Sequence, residues 1–194
     1  MHAVACRRWL ALVGIWLSLV AATDARLSHG RFENVVLYRP TGAVRQVVLL
    51  LSGDDGWNAD ADRMAKALTA EGALVVGLGT PPLLQSFSTE GGECVYPDGD
   101  LENLSHWIQG YAHLPTYFAP LLVGYASGGG LAYAALAQAP AGTFGGVLSI
   151  AFCPHLAMDL PPCDDHAAPH AVRPSRRSRG HGIDLAPATR LAAR

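Results

Sequence analysis

Residues Pro120 to Ala139 read PLLVGYASGGGLAYAALAQA, and this stretch decides the fold that the sequence predicts. A short apolar run, Leu121 to Val123, ends at Gly124, and Gly128 to Gly130 then open an alanine-rich segment. This pattern is typical of a buried strand that turns sharply into a helix. The glycines fall where the strand and the helix must approach each other closely.

The spacing of these glycines resembles the nucleophile elbow of α/β hydrolases, G-x-S-x-G, in which a strained turn lifts a serine above the sheet. Aligning Gly124 and Gly128 with the two glycines places the nucleophile at residue 126, which is alanine. Ser127 is a substitute nucleophile only if the elbow shifts by one residue, which puts the bulky Tyr125 at the first small position. The sequence therefore predicts an elbow whose nucleophile is replaced by Ala126.

Strands and helices alternate along the chain around this turn. The segment 79–97 interrupts the alternation, because it has no clear periodicity, and is predicted to be a long loop. Helices are expected to begin after a cap at Asn58 and after one at Asp98 or Asp100. Alternation of this kind implies an α/β three-layer sandwich with a mainly parallel sheet. Its core strands are predicted at Ala43–Leu51, Ala73–Leu78, Leu121–Val123 and Val147–Phe152, and Phe32–Tyr38 is a candidate for a further short strand.

The chain has 194 residues, half of them hydrophobic, which is enough for one globular domain with a sizeable core. Its net charge of −2 indicates no particular charged partner. The charges are unevenly distributed, because no lysine or arginine occurs from Ala67 to Val172, whereas the last residues are rich in arginine.

Residues 161–194 are predicted to form a disordered Arg/Pro/Ala-rich tail, since they contain no apolar run that would fold alone. One hypothesis is that the tail comes from a shifted reading frame, which would leave the domain at 31–160 truncated at its C-terminal end. An arginine-rich arm for nucleic acid is the alternative. It is not favoured, because the tail lacks aromatic residues for base stacking.

The first 25 residues have the pattern of a secretory signal peptide. Arg7 and Arg8 precede an apolar stretch, Trp9 to Ala22, which is followed by small residues. Cleavage is expected after Ala22 or Ala25, with the mature protein in the periplasm. An uncleaved membrane anchor is the alternative, although the stretch is short for a span of about 20 apolar residues.

Export would place the remaining cysteines in an oxidising compartment. Cys153 and Cys163 are close in sequence and are predicted to form a disulfide, leaving Cys94 free or paired elsewhere. No metal or other cofactor is expected, because the candidate metal ligands have a spacing that fits no known pattern. These candidates are His166, His170, His181, Asp164 and Asp165.

Two blocks of sequence are similar to the VirJ and AcvB family of bacterial proteins. Ser52 to Trp57 read S-G-D-D-G-W and resemble the family's S-G-D-G-G-W, while Gly124 to Gly128 resemble its G-Y-S-x-G elbow. The resemblance covers about residues 44 to 156 and departs from the family at Asp55 and Ala126. It implies an exported α/β-hydrolase-like protein linked to virulence and type IV secretion. Hydrolysis of aminoacylated phosphatidylglycerol is the activity it implies for AcvB-like members.

In an intact site of this type, a histidine oriented by a carboxylate would activate the serine. The backbone N–H of Ser127 would stabilise the oxyanion, with a second N–H from the loop Gly53, Asp54 and Asp55. In this fold the acid and the histidine follow the elbow, and the sequence predicts no later strand that carries them.

Three interpretations are therefore compatible with the sequence. The first is an impaired hydrolase whose relatives act on a phospholipid-type ester. The second is a non-enzymatic periplasmic partner of a secretion system. The third is a nonfunctional gene fragment.

Overall fold

The computed structural model describes residues 26–89, 91–152, 154–163, 172–174 and 183–185. The strands are β1 (Arg26–His29), β2 (Phe32–Tyr38), β3 (Gln46–Leu51), β4 (Ala73–Leu78), β5 (Leu121–Tyr125), β6 (Gly146–Ile150), β7 (His155–Leu156), β8 (Val172–Pro174) and β9 (Ile183–Leu185). The helices are α1 (Ala59–Ala70), α2 (Thr80–Ser88), α3 (Pro97–Tyr111) and α4 (Ser127–Gln138).

Six of these strands form a central sheet in the order β1-β2-β4-β3-β5-β6. Strand β3 pairs in parallel with β4 and β5, and β5 pairs in parallel with β6. The hairpin of β1 and β2 joins the sheet antiparallel to β4. The prediction of an α/β fold with a mainly parallel sheet is confirmed.

The sheet is buried on both faces, which explains the continuous apolar runs of its central strands. Alternate residues of β3 belong to different clusters because successive side chains point to opposite faces. Leu49 and Leu51 pack with α2, α3 and α4, whereas Val48 and Leu50 pack with α1. Helices therefore cover both faces, which gives the three layers.

The predicted boundaries differ from the observed ones by a few residues. Strand β4 has its predicted bounds, while β3 begins at Gln46. Asn58 caps α1 as predicted, since its side chain accepts hydrogen bonds from the N–H groups of Asp60 and Ala61. Helix α3 begins at Pro97, so Asp98 lies in its first turn and not at the cap.

The prediction of a long loop at 79–97 was wrong, because α2 occupies Thr80–Ser88. Its two prolines lie in the first turn, where the backbone N–H groups have no intrahelical acceptor, so the helix tolerates them. Leu83, Leu84 and Phe87 form its buried face. The Pro-Pro pair concealed a helix too short for periodicity to identify.

The prediction of a wholly disordered tail was also wrong. Strands β8 and β9 fall within residues 161–194 and form a second sheet, in the order β7-β9-β8, with antiparallel pairs. Ile183 and Leu185 are buried on either side of the half-exposed Asp184. An alternation of only three residues is too short to be recognised as a strand in the sequence. Strand β1 likewise extends the domain before residue 31.

The predicted disulfide between Cys153 and Cys163 was wrong, because Cys163 is bonded to Cys94, with their Cα atoms 5.0 Å apart. The backbone explains this pairing. The N–H of Val95 donates to the carbonyl of Pro161, and the N–H of Cys163 donates to the carbonyl of Val95, both at 2.9 Å. These bonds hold the two segments side by side. Cys153 lies outside the described residues.

The predicted signal peptide, residues 1–25, also lies outside the described residues, as do the five candidate metal ligands in the tail. In the described part of the chain, no helix has the length and hydropathy needed to cross a membrane.

Candidate active site

The candidate site is built around the turn from β5 into α4. Ala126 joins the two elements with φ +49° and ψ −116°, a conformation that non-glycine residues rarely adopt. Its N–H donates to the carbonyl of Ile150 on β6 at 2.9 Å, which fixes the turn to the neighbouring strand. This is the strained strand-to-helix turn that presents a nucleophile in α/β hydrolases.

The glycines on either side of Ala126 are required by close packing. A Cβ atom on Gly124 would overlap the carbonyl group of Gly128, and one on Gly128 would overlap the carbonyl oxygen of Ser52. Helix α4 therefore begins against the end of β5 and against the loop that follows β3. These contacts leave residue 126, which is half-buried, at the tip of the turn.

The loop after β3 is held beside the elbow by Ser52, which is buried. The N–H of Thr80 donates to Ser52 Oγ at 3.0 Å, and Thr80 Oγ1 donates to the Ser52 carbonyl at 2.6 Å. Sequence reasoning missed this role of Thr80. The sequence contains one indication of this role: Thr80, at the start of α2, follows the end of β4 at Leu78 by two positions.

Trp57, at the end of the same loop, packs on the sheet. A Cβ atom on Gly77 of β4 would overlap the indole ring, so the absence of a side chain there makes room for it. The indole also lies 6.1 Å from the ring of Tyr38, centroid to centroid. Trp57 therefore anchors the far end of the Ser52-to-Trp57 block.

A cavity of about 410 Å³ lies between this loop and the elbow. Gly53, Asp54, Asp55 and Ala126 all line it, so the structure brings the loop and the nucleophile position together. The remaining lining residues are Leu50, Leu51, Ser52, Asn58, Asp60, Ala61, Met64 and Tyr125.

Ser127 is not among the residues that line this cavity. It is the first residue of α4, it is buried, and its Oγ has no hydrogen-bond partner within the described structure. Its backbone N–H is one of those at the helix start that have no intrahelical acceptor. The residue therefore suits the role of backbone donor better than that of nucleophile.

The charge of the cavity is negative. Asp54, Asp55 and Asp60 line it, and none of the lining residues is a lysine, arginine or histidine. Carboxylates that line a cavity disfavour the negative charge that would develop on the oxygen of a bound substrate. The lining also has no histidine, the side chain that most often acts as the general base in such a site.

A histidine and a carboxylate do occur on strands after the elbow, contrary to the prediction. His155 Nδ1 on β7 lies 3.1 Å from Asp184 Oδ1 on β9. This is the arrangement of a base and the group that orients it. Neither residue lines the elbow cavity, whereas Ala126 does. His106 stacks on Tyr117, with ring centroids 4.1 Å apart, and does not line the cavity either.

The sheet, the helices on both faces and the elbow define an α/β-hydrolase-like fold. No protein-family model matches the chain, and no curated protein matches it. It is similar to a dienelactone hydrolase from Anabaena variabilis at 19% identity and a TM-score of 0.46, over 66% of this chain and 61% of that one. It is also similar to the esterase domain of a Rhodothermus marinus protein, at 19% identity and a TM-score of 0.42, over 78% and 54% of the two chains.

A lipase in its open form is similar at 19% identity and a TM-score of 0.43, over 62% of this chain and 40% of the lipase. The chain thus spans less than two thirds of the length of each of these structures. At these TM-scores and identities the likeness establishes neither a family nor an activity for this chain. The resemblance to VirJ and AcvB stays a prediction.

Proposed function

We propose that this chain is an exported VirJ/AcvB-like protein that keeps the elbow cavity of an ester hydrolase but does not hydrolyse esters through a serine. The observation that carries the proposal is Ala126 at the tip of a strained elbow, facing a cavity of about 410 Å³. Loss of one triad member lowers the rate by a factor on the order of 10⁴ or more. The proposed ligand class is a phospholipid-type ester, such as the aminoacylated phosphatidylglycerol that the family resemblance implies.

The backbone parts of the site support binding without turnover. The loop at Gly53 to Asp55 and Ala126, the cap residue of α4, line the cavity. Donors of this kind bind a carbonyl or an oxyanion whether or not a nucleophile is present. A buried hydroxyl at Ser127 and a cavity lining without histidine leave no serine and base in contact.

A fluorophosphonate probe tests this proposal, because it labels only a serine that a neighbouring base activates. The samples are the chain as it stands, Ala126→Ser, Ser127→Ala and the double variant, with an intact serine esterase as the positive control. We expect no labelling and no ester hydrolysis in any of the four. Labelling of the unmodified chain that disappears in Ser127→Ala would refute the assignment of the elbow. Labelling of Ala126→Ser alone would show that a base reaches the cavity.

Export to the periplasm is part of the proposal. The disulfide between Cys94 and Cys163 supports it, because such bonds persist in oxidising compartments. Cleavage after Ala22 or Ala25 would leave β1, which begins at Arg26, intact. Mature protein from a periplasmic extract should therefore begin near Thr23 or Arg26, and N-terminal sequencing that returned Met1 would reject export by cleavage.

The second candidate is a non-enzymatic partner of a secretion system. It is favoured by apolar side chains exposed near the elbow, since Leu148 is 55% exposed and Tyr125 is 48% exposed. The register pairs Tyr125 with Ile150, two residues from Leu148, so Tyr125 and Leu148 share one face of the sheet. Exposed apolar patches of this kind mark protein interaction sites. Loss of co-purification with secretion-system proteins in Leu148→Asp, with the cavity unchanged, would favour this candidate.

A further inference from the structure

A second cavity of about 410 Å³ lies at the opposite end of the parallel strands from the elbow. It is bounded by the turn after β2, from Arg39 to Ala43, and by the end of α1 up to Gly72. Because β3 begins at Gln46 and β4 at Ala73, this groove lies at the amino ends of the parallel strands. We call it the basic groove, since Arg39, Arg45 and Lys66 all line it.

Two of these cations are unpaired in the described part of the chain. Arg39 and Arg45 are exposed, and neither forms an ion pair with a described carboxylate. The other described cations whose side chains are in ion pairs are Arg31 with Asp100, Arg63 with Asp60 and Lys66 with Asp62. Arg39 and Arg45 therefore bring two unpaired positive charges into the basic groove, whereas Arg26, which is also in no described ion pair, lies outside it.

The two guanidinium groups are held in place by contacts that leave their charge uncompensated. The stem of Arg45 lies over Gly72, where a Cβ atom would come within 3.1 Å of Arg45 Cδ. The N–H of Arg45 donates to the carbonyl of Gly72 at 2.9 Å. The guanidinium of Arg39 lies 5.6 Å from the ring centroid of Tyr111, a cation–π distance. Such positioning lowers the entropy lost when a ligand binds.

The negative charge at the groove is smaller than the positive charge. Glu71 is the carboxylate among the lining residues, and the carbonyl end of α1 adds about −0.5 of an elementary charge. Against these stand two arginines and Lys66, which Asp62 partly neutralises. Two planar guanidinium forks and one ammonium group suit an anion with three acceptor oxygens better than a carboxylate with two.

We propose that the basic groove binds a phosphate group, carried either by a phospholipid headgroup or by a soluble phosphate compound. The proposal does not depend on the function proposed for the elbow cavity, because the two cavities lie at opposite ends of the parallel strands. The two sources of phosphate share one chemistry and are separated by the arms of the test.

The first arm titrates the full chain with inorganic phosphate at low ionic strength and follows the amide NMR signals of Gly42 and Gly72. The second arm measures co-sedimentation with vesicles of phosphatidylglycerol, with phosphatidylcholine vesicles as the reference. Both arms compare the wild type with Arg39→Gln/Arg45→Gln. The matched control is Arg26→Gln/Arg63→Gln, which removes the same charge from outside the groove. A third variant, Arg39→Lys/Arg45→Lys, keeps the charge and removes the planar forks.

We expect phosphate to shift the groove amides and the groove variant to bind phosphate at least about tenfold more weakly, with the control changed by less than about twofold. The lysine variant should lie between them. Co-sedimentation with phosphatidylglycerol that follows the same order would identify a lipid headgroup, and phosphate binding without it would identify a soluble ligand. Absence of binding in both arms, or equal loss in the groove and control variants, would overturn the proposal.

Discussion

Breaking the disulfide between Cys94 and Cys163 should lower the free energy of unfolding by several kcal/mol. The bond joins residues 69 positions apart, so it closes a long loop in the unfolded chain. The chain entropy of a loop of this length corresponds to about 4 kcal/mol of stability. That is a large fraction of the roughly 5–15 kcal/mol by which a domain is stable.

The hydrogen bonds around the disulfide should keep the folded structure in place once it is broken. Gln138 Nε2 donates to the carbonyl oxygens of Val95 and Cys163, at 3.1 and 3.0 Å. The backbone bonds of Val95 with Pro161 and Cys163 also remain. We therefore expect a folded protein with a lower free energy of unfolding, and not an unfolded one.

Urea unfolding of the wild type, Cys94→Ala, Cys163→Ala and Cys153→Ala measures this effect. The first two variants should lose about 2–4 kcal/mol, and the wild type treated with a reductant should lose a similar amount. Cys153→Ala is the matched control and should keep both its stability and its response to reductant. If Cys153→Ala lost the stability and Cys94→Ala kept it, the pairing described here would be wrong.

Three further predictions concern the elbow, its glycines and the charge on α1. Ala126→Gly should raise the free energy of unfolding by about 1 kcal/mol, because glycine adopts a φ of +49° without strain. If urea unfolding showed a lower free energy of unfolding for this variant, the turn would not be strained. Gly128→Ala should lower it by about 1–3 kcal/mol or more, since the new Cβ would overlap the Ser52 carbonyl, whereas the control Gly110→Ala, in an open position on α3, should raise it by about 0.5–1 kcal/mol. Hydrogen bonds from Lys66 and then Tyr38 hold the pKa of Asp62 below its usual 3.8, so this carboxylate stabilises the fold above that pH and the contribution is lost as the pH falls through the lowered value. Carboxyl NMR titration should show the pKa rising in Lys66→Gln, and an unchanged pKa would contradict this account.

The central sheet could be predicted because its strands are short, continuous runs of apolar residues. The apolar runs at Val47 to Leu51 and Ala73 to Leu78 pack on both faces, and no other element type fits so short a run between turn residues. Helix α2 was missed because its prolines signal a break, although they are harmless in a first turn. Strands β8 and β9 were missed because three residues are too few for a pattern to be read.

Long-range pairing explains the other failures. Spacing along the chain favoured a bond from Cys163 to Cys153, but the bridge between Val95 and Pro162 brings Cys94 beside Cys163 instead. The contact of His155 with Asp184 depends on the antiparallel register of β7 and β9. Neither registration leaves a signal in a single sequence, because each is decided by how distant segments pack.

The elbow shows that its backbone does not depend on the nucleophile that it presents in an enzyme. Ala126 keeps a φ of +49°, a conformation that costs about 1–3 kcal/mol in a residue with a side chain. The cost is sustained by packing, since Gly124 and Gly128 allow contacts that any Cβ would prevent and Ile150 accepts the Ala126 N–H. Because these contacts involve only backbone atoms, they are the same with alanine or serine at residue 126. The turn and the cavity beside it can therefore form without a serine at residue 126, and the proposal of binding without turnover rests on this.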